Sequence, residues 1–130
     1  MAKIDWRAAG TGALAALVLV LPAALIGAIV VSDDANNGVF AFYFVIMAGM
    51  LAGGFVAGSK RPDAPLTHGA VAALLAYAVA QLLAVLVKVV AGSKLRSPAV
   101  YVFDALLMAS LGTVGGLIAE RRNARMRSTT

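Results

Sequence analysis

Three polar side chains, Gln81, Lys88 and Asp104, stand inside long apolar runs of the sequence and are the residues best placed to do chemistry. In a membrane, a charge at the centre of a helix costs about 2.5–3.5 kcal/mol on insertion scales, so charged residues there usually have a role. One interpretation is a proton or ion relay. The other is structural: an ion pair between helices, or Lys88 reaching the outer headgroups while Asp104 bonds a hydroxyl or water.

Helical geometry favours the structural interpretation. At 100° per residue, Tyr77, Gln81 and Lys88 fall within about 40° of each other, which makes one polar stripe on a helix. Lys88 lies near the end of the third helix and Asp104 about two turns into the fourth, on the same side of the membrane. We therefore expect that they can meet. Transporters usually place their ionisable group near mid-membrane, and only Gln81 lies there.

His68 is the single histidine, and it lies close in sequence to Asp63 and to the basic pair Lys60 and Arg61. A pH-sensing or ligand-binding role is one interpretation. A single histidine without thiol or carboxylate companions makes a poor metal site. We therefore expect His68 to be an ordinary residue of the membrane interface.

Other motifs that carry chemistry fail on context. The run from Gly53 to Lys60 has the glycines of a phosphate-binding loop, but its lysine comes one position late and its glycines end an apolar run. Asp33 and Asp34 lack the further oxygen ligands of a calcium loop. No serine, histidine and acid set suggests nucleophilic catalysis. The sequence therefore predicts a non-enzymatic protein with no cofactor and no metal site.

Composition indicates the class of protein in which these residues lie. Apolar residues make up 62% of the chain and charged residues 13%, against roughly 25% charged in soluble proteins. A soluble domain of 130 residues would expose much of this apolar excess to water. The net charge of +5 lies at the ends of the apolar runs, which favours lipid headgroups over nucleic acid as partner. The sequence therefore predicts an integral membrane protein.

Four apolar runs reach the length of about 20 helical residues that a bilayer core requires. Short connections between them predict antiparallel neighbours, and hence an all-α, polytopic, antiparallel four-helix transmembrane bundle. We expect one membrane domain, 1–130, with a short basic tail at 120–130. The predicted spans are approximately 8–31, 38–58, 65–91 and 98–119.

Basic residues predict the orientation, because Lys and Arg near span ends favour the cytoplasmic side. The side opposite the termini has Lys94 and Arg96, with Lys88 just inside a span. The side that holds both termini is richer, and is therefore predicted to be cytoplasmic: Lys3, Arg7, Lys60, Arg61, Arg121, Arg122, Arg125 and Arg127.

Small residues recur at every fourth position, which lets helix backbones approach closely in lipid. The second span has two such faces, so one could pack inside the chain and the other against a partner. The predicted helix-packing residues are Gly49, Gly53, Gly54, Gly58, Ala72, Ala76, Ala80, Ala84, Gly112 and Gly116.

The two halves of the chain also match. Gly12 to Val18 in the first span parallels Gly69 to Leu75 in the third. A duplicated helical hairpin is one interpretation, and its symmetry axis would run along the membrane normal. Chance similarity between glycine- and alanine-rich membrane sequences is the other.

The stretch Ala48 to Gly58, a short basic turn, and Thr67 to Ala70 resemble a group of small uncharacterised bacterial four-helix membrane proteins. The resemblance covers about a quarter of the chain, from Ala48 to about Tyr77. It implies the four-helix architecture and a bacterial plasma membrane, and it brings no activity, cofactor or catalytic residue.

Two functional hypotheses follow. The first is an accessory or scaffold protein that packs through its small-residue faces against itself or another membrane protein. The alternative is a small homo-oligomeric channel or transporter with a polar path through Gln81, Lys88 and Asp104.

Overall fold

Four long helices make up the computed structural model, which describes residues 3–30 and 36–129, with only the backbone described at 28–30 and 36–39. All four are long and apolar enough to cross a membrane, and the described residues contain no strand. The prediction of an all-α, four-helix membrane protein is confirmed. The predicted loop with Asp33 and Asp34 lies outside the described residues. The helices are α1 (Trp6–Val30), α2 (Asn36–Lys60), α3 (Pro65–Val90) and α4 (Pro98–Ser128).

Local sequence explains where the helices begin. Asp5 caps α1, because its Oδ1 accepts hydrogen bonds from the backbone N–H groups of Arg7 and Ala8, at 2.9 and 3.2 Å. Pro65 and Pro98 open α3 and α4, where a missing N–H leaves no helical hydrogen bond unmade. Ser97 occupies the N-cap position of α4, but its side chain makes no capping bond.

Gly92 ends α3. Its φ of +65° lies in the left-handed region, where a Cβ would be strained. The Ser93 N–H donates to the carbonyl of Lys88 and the Gly92 N–H to that of Val89, which is the paired pattern of a glycine-terminated helix. Gly58, by contrast, lies inside α2, which continues to Lys60. Helix α4 likewise continues past the predicted end of its span, to Ser128.

The helices form two hairpins, α1–α2 and α3–α4, which lie side by side. Helix α1 contacts α3, and α2 contacts both α3 and α4, whereas α1 and α4 make no contact in the described part of the chain. A twofold axis along the membrane normal would turn the α2–α3 contact into an α4–α1 contact. That contact is missing among the described residues, so this arrangement does not have the predicted axis.

Packing is concentrated at one end of the bundle. The terminal end holds the first and last described residues, 3 and 129, and the turn between α2 and α3, and the distal end holds the connection between α3 and α4. No residue from Leu82 to Val90 in the distal part of α3 is buried. The alanines without exposed surface all lie in the terminal half: Ala9, Ala16, Ala57, Ala72, Ala73, Ala76 and Ala119.

Candidate functional sites

The predicted packing glycines lie at helix contacts inside the chain. Gly49 and Gly53 face α1, where Gly53 approaches Gly12 and Ala16. Gly54 lies on the other face of α2, against the backbone of Gly112 in α4. Both small-residue faces of α2 are therefore occupied by the chain's own helices.

The other predicted packing residues differ in burial between the two ends of the bundle. Gly58 lies against Gly116 and Ala119, and Gly116 also lies against Pro65. On α3, Ala72 and Ala76 are fully buried. Farther along the same row, Ala80 is half-buried and Ala84 is exposed. The alanine row of α3 is thus covered at the terminal end and uncovered at the distal end.

A polar cluster, which we call the terminal latch, joins three elements at the terminal end. It consists of Asp5 before α1, Arg61 and Asp63 between α2 and α3, and His68 in α3. The Arg61 guanidinium bonds both oxygens of Asp63, at 2.9 and 2.8 Å, and donates from Nη1 to Asp5 Oδ2 at 2.9 Å. Arg61 therefore ties the start of α1 to the turn between α2 and α3.

His68 is the buried part of the terminal latch. Its ring has no exposed surface. Nε2 accepts a hydrogen bond from the backbone N–H of Asp5 at 2.9 Å, and Nδ1 lies 2.8 Å from the carbonyl oxygen of Ala64. An oxygen acceptor at Nδ1 and an N–H donor at Nε2 require the neutral ring with its proton on Nδ1. Sequence reasoning placed His68 at the interface but missed Asp5, which lies 63 positions away along the chain.

Electrostatics keep the carboxylates of the terminal latch ionised. The hydrogen bonds from Arg61 hold the pKa of Asp63 at about 2, and they also lower that of Asp5, with help from the Ala8 N–H. Asp63 and Asp5 in turn raise the pKa of Arg61. The side chains are partly exposed to water, which screens their attraction, so the latch positions α1 more than it stabilises the fold.

The predicted intramembrane polar residues lie at the distal end. Gln81 and Lys88 line one small cavity of about 210 Å³, together with Ala84, Arg96 and Tyr101. Asp104 pairs with Arg96, with Nη1 and Oδ2 3.8 Å apart. Among the described residues, Lys88 makes no ion pair with Asp104. Sequence reasoning counted Arg96 only as a topological charge, because the connection after Gly92 that brings it back to α4 was not visible in the sequence.

A second, apolar cavity adjoins the first. Its volume is about 330 Å³, and Gln81 and Tyr101 line both cavities. The hydroxyl of Tyr77 donates to the backbone carbonyl of Tyr101 at 2.9 Å and so ties α3 to the first turns of α4. The other residues of the apolar cavity are Tyr77, Ala78, Leu82 and Val85.

A basic groove lies on the last turns of α4, with a volume of about 390 Å³. The Arg122 guanidinium stands 5.6 Å from the centre of the Phe55 ring, in the range of a cation–π contact. No group of three or more metal-ligating His, Cys, Asp or Glu side chains occurs in the part of the chain that the structure describes. The groove is lined by Ile118, Arg121, Arg122, Arg125 and Met126.

Comparison with known proteins gives no relative: no protein family, no curated protein and no solved structure matches the chain.

Proposed function

We propose that the chain is a non-enzymatic membrane accessory protein, a stiff four-helix unit that packs in the plane of the bilayer against a second copy or a larger membrane complex. The observation that carries this proposal is the contrast between its halves. The terminal half is closed by glycine contacts and the latch, whereas the distal part of α3 contains no buried residue and large side chains of distal α1 and α2 are exposed.

The contrast also favours a partner surface in the distal half over one on the glycine faces of α2. Helices associate in lipid where backbones approach and where side chains interlock, because lipid tails are as apolar as leucine. The glycine faces of α2 are used within the chain, so they are not offered to a partner. Exposed large side chains of the distal half of α1 and α2 remain, among them Leu25, Phe40 and Phe44. A partner helix would pack there.

We place this unit in a bacterial plasma membrane, with its terminal end on the cytoplasmic side. Support for the membrane is the resemblance to small bacterial four-helix proteins. Support for the orientation is the excess of Lys and Arg at the terminal end, at Arg61, Arg121 and neighbouring positions. Tags at either terminus that report from the cell exterior would contradict it.

Native extraction into lipid nanodiscs tests the association. We expect more than one copy, or a co-purifying membrane protein, in each particle. Leu25→Trp in the distal half should reduce this association. Leu14→Trp is the matched control, because Leu14 lies on the same helix in the terminal half and is exposed to the same degree, 64% against 66%. A lone monomer without any protein partner would overturn the proposal.

A small channel or transporter is the second candidate, favoured by Gln81 and Lys88 lining one polar cavity. In a single copy that cavity cannot continue across the membrane between α3 and α4, the helices that line it, because Gly69 and Gly112 bring these two helices into backbone contact. The path would have to run between copies. Ion flux in proteoliposomes that is unchanged in Lys88→Met and Asp104→Asn would exclude these residues from it.

A further inference from the structure

The two distal cavities adjoin each other, and we call them together the distal groove. Gln81 and Tyr101 line both cavities, so the apolar part borders the polar part. The apolar floor runs along α3 from Tyr77 to Val85, and the polar end lies at Lys88 and Arg96. The groove is therefore amphipathic along the helix axis.

The direction of this change matches that of a lipid in the membrane. Helix α3 runs from the terminal end to the distal end and ends at Val90. At 1.5 Å per residue, Tyr77 lies about 16 Å deeper than Lys88. The apolar floor thus lies at the depth of acyl chains, and Lys88 and Arg96 lie at the depth of phosphates in the leaflet on the distal side.

Charge makes the polar end suited to an anion. Two cations, Lys88 and Arg96, line it. One carboxylate, Asp104, stands 3.8 Å from Arg96, which leaves a net positive charge at the mouth. Within the described part of the chain, the side chains of Gln81 and Lys88 make no hydrogen bond or ion pair. Their donors are free to meet a phosphate and a glycerol ester.

We propose that the distal groove binds one acidic phospholipid from the adjoining leaflet. The phosphate lies between Lys88 and Arg96, the Gln81 amide meets the ester region, and one acyl chain follows the apolar floor toward Tyr77. A partner helix fits the groove less well, because an apolar helix would cover Lys88 without neutralising it.

A neighbouring groove provides an internal control. It lies on α3 at Leu86, Val87, Val90 and Ala91, and has a volume of about 360 Å³. It is apolar and lacks a lining cation, so it should meet lipid chains without preference for a headgroup.

Native mass spectrometry of the full chain tests the charge. The protein is released from nanodiscs that contain equal amounts of phosphatidylglycerol and phosphatidylcholine. We expect one retained phosphatidylglycerol. Removal of both cations, Lys88→Met with Arg96→Met, should lower this retention roughly tenfold per cation. Lys94→Met is the matched control, because Lys94 is a basic residue of the same connection and does not line the groove. It should retain the lipid.

Tryptophan substitutions test the acyl chain. Ala78→Trp fills the apolar floor and should lower retention, whereas Val87→Trp fills the neighbouring groove and should leave it unchanged. If a variant fails to fold, photolabelling of the wild-type chain still tests where the acyl chain lies. A phosphatidylglycerol with a diazirine on its acyl chain should label the peptide that contains residues 77–85.

Three results would overturn the proposal. Equal retention of the two lipids would show no headgroup recognition. Displacement of the lipid by inorganic phosphate alone would show an anion site without a chain. Crosslinking of residues 77–85 to a second protein chain would show a protein occupant. A negative result in these lipid tests on α3 would reject the lipid site. The association proposal is tested separately, by Leu25→Trp on α1.

Discussion

The terminal and distal halves of the bundle are held together by different kinds of contact. In the terminal half, glycines and alanines bring backbones into contact, and the latch satisfies the polar ends of α1 and α3. In the distal half, large side chains such as Leu25 and Phe44 face outward, and α3 and α4 are held by the Tyr77 hydroxyl and a long ion pair. Small residues therefore close the terminal half, whereas the distal part of α3, from Leu82 to Val90, contains no buried residue.

The largest expected effect comes from Gly112→Ala. A Cβ at this position would collide with the backbone carbonyl of Gly69 and would lie 2.5 Å from the Ala73 Cβ. Backbone cannot move aside cheaply, so we expect a loss of about 2 kcal/mol or more in the free energy of unfolding. Unfolding in mixed detergent micelles measures it.

Gly27→Ala is the distal counterpart of that substitution. A Cβ there would lie 3.1 Å from the Phe42 ring, which can turn away. We expect a loss under about 1 kcal/mol. Gly10→Ala, where nothing lies within 4 Å, should change little. Equal losses at Gly27 and Gly112 would contradict the contrast between the halves.

His68→Phe should have the next largest effect. The phenyl ring keeps the shape but removes the acceptor for the Asp5 N–H, whereas the Ala64 carbonyl still accepts the backbone N–H of residue 68. Leaving the Asp5 N–H unpaired costs about 1–2 kcal/mol. Hydrogen exchange should speed up at residues 5–9 and remain slow in α4. His68→Gln, which can still accept from Asp5, should lose less; equal losses would argue against the hydrogen bond as the cause.

Acid should release the terminal latch without unfolding the bundle. The pKa of Asp63 falls from its ordinary value of 3.8 to about 2 through the Arg61 hydrogen bonds, and that of Asp5 is lowered as well. A carboxylate with a lower pKa in the folded state stabilises it above its unfolded pKa and loses this effect as the pH falls through the folded pKa. We therefore expect the latch to hold above about pH 4 and to open toward pH 2.

The single tryptophan, Trp6, follows Asp5 directly and reports this transition by its fluorescence. Arg61→Met should move the transition up toward the ordinary aspartate range, because the carboxylates lose their cation. A profile that is the same in both proteins would exclude Arg61 as the cause.

The smallest effect is expected for Asp104→Asn. Its partner Arg96 is half exposed and 3.8 Å away, so the ion pair should contribute within about 0.5 kcal/mol to the free energy of unfolding. The same unfolding assay measures it. A loss as large as that of Gly112→Ala would mean that the distal end is held as tightly as the terminal end.

The four helices can be predicted from the sequence, because the length of an apolar run and the Gly or Pro residue at its end are local features. The runs that end at Gly92 and begin at Pro65 and Pro98 fix the spans, and the glycine rows mark close contacts without showing which helix meets which face. The latch could not be predicted, since the bond between Asp5 and His68 depends on how α1 crosses α3. The pairing of Arg96 with Asp104 depends on the connection that follows Gly92. A helical wheel places residues on one helix only.

The missing contact between α1 and α4 has a consequence for how neighbours in the bilayer reach this protein. Within the described part of the chain, α2 and α3 each touch all three other helices, whereas α1 and α4 each touch two and stand at opposite corners of the bundle. A neighbouring helix therefore meets less obstruction along α1 or α4 than along α2 or α3.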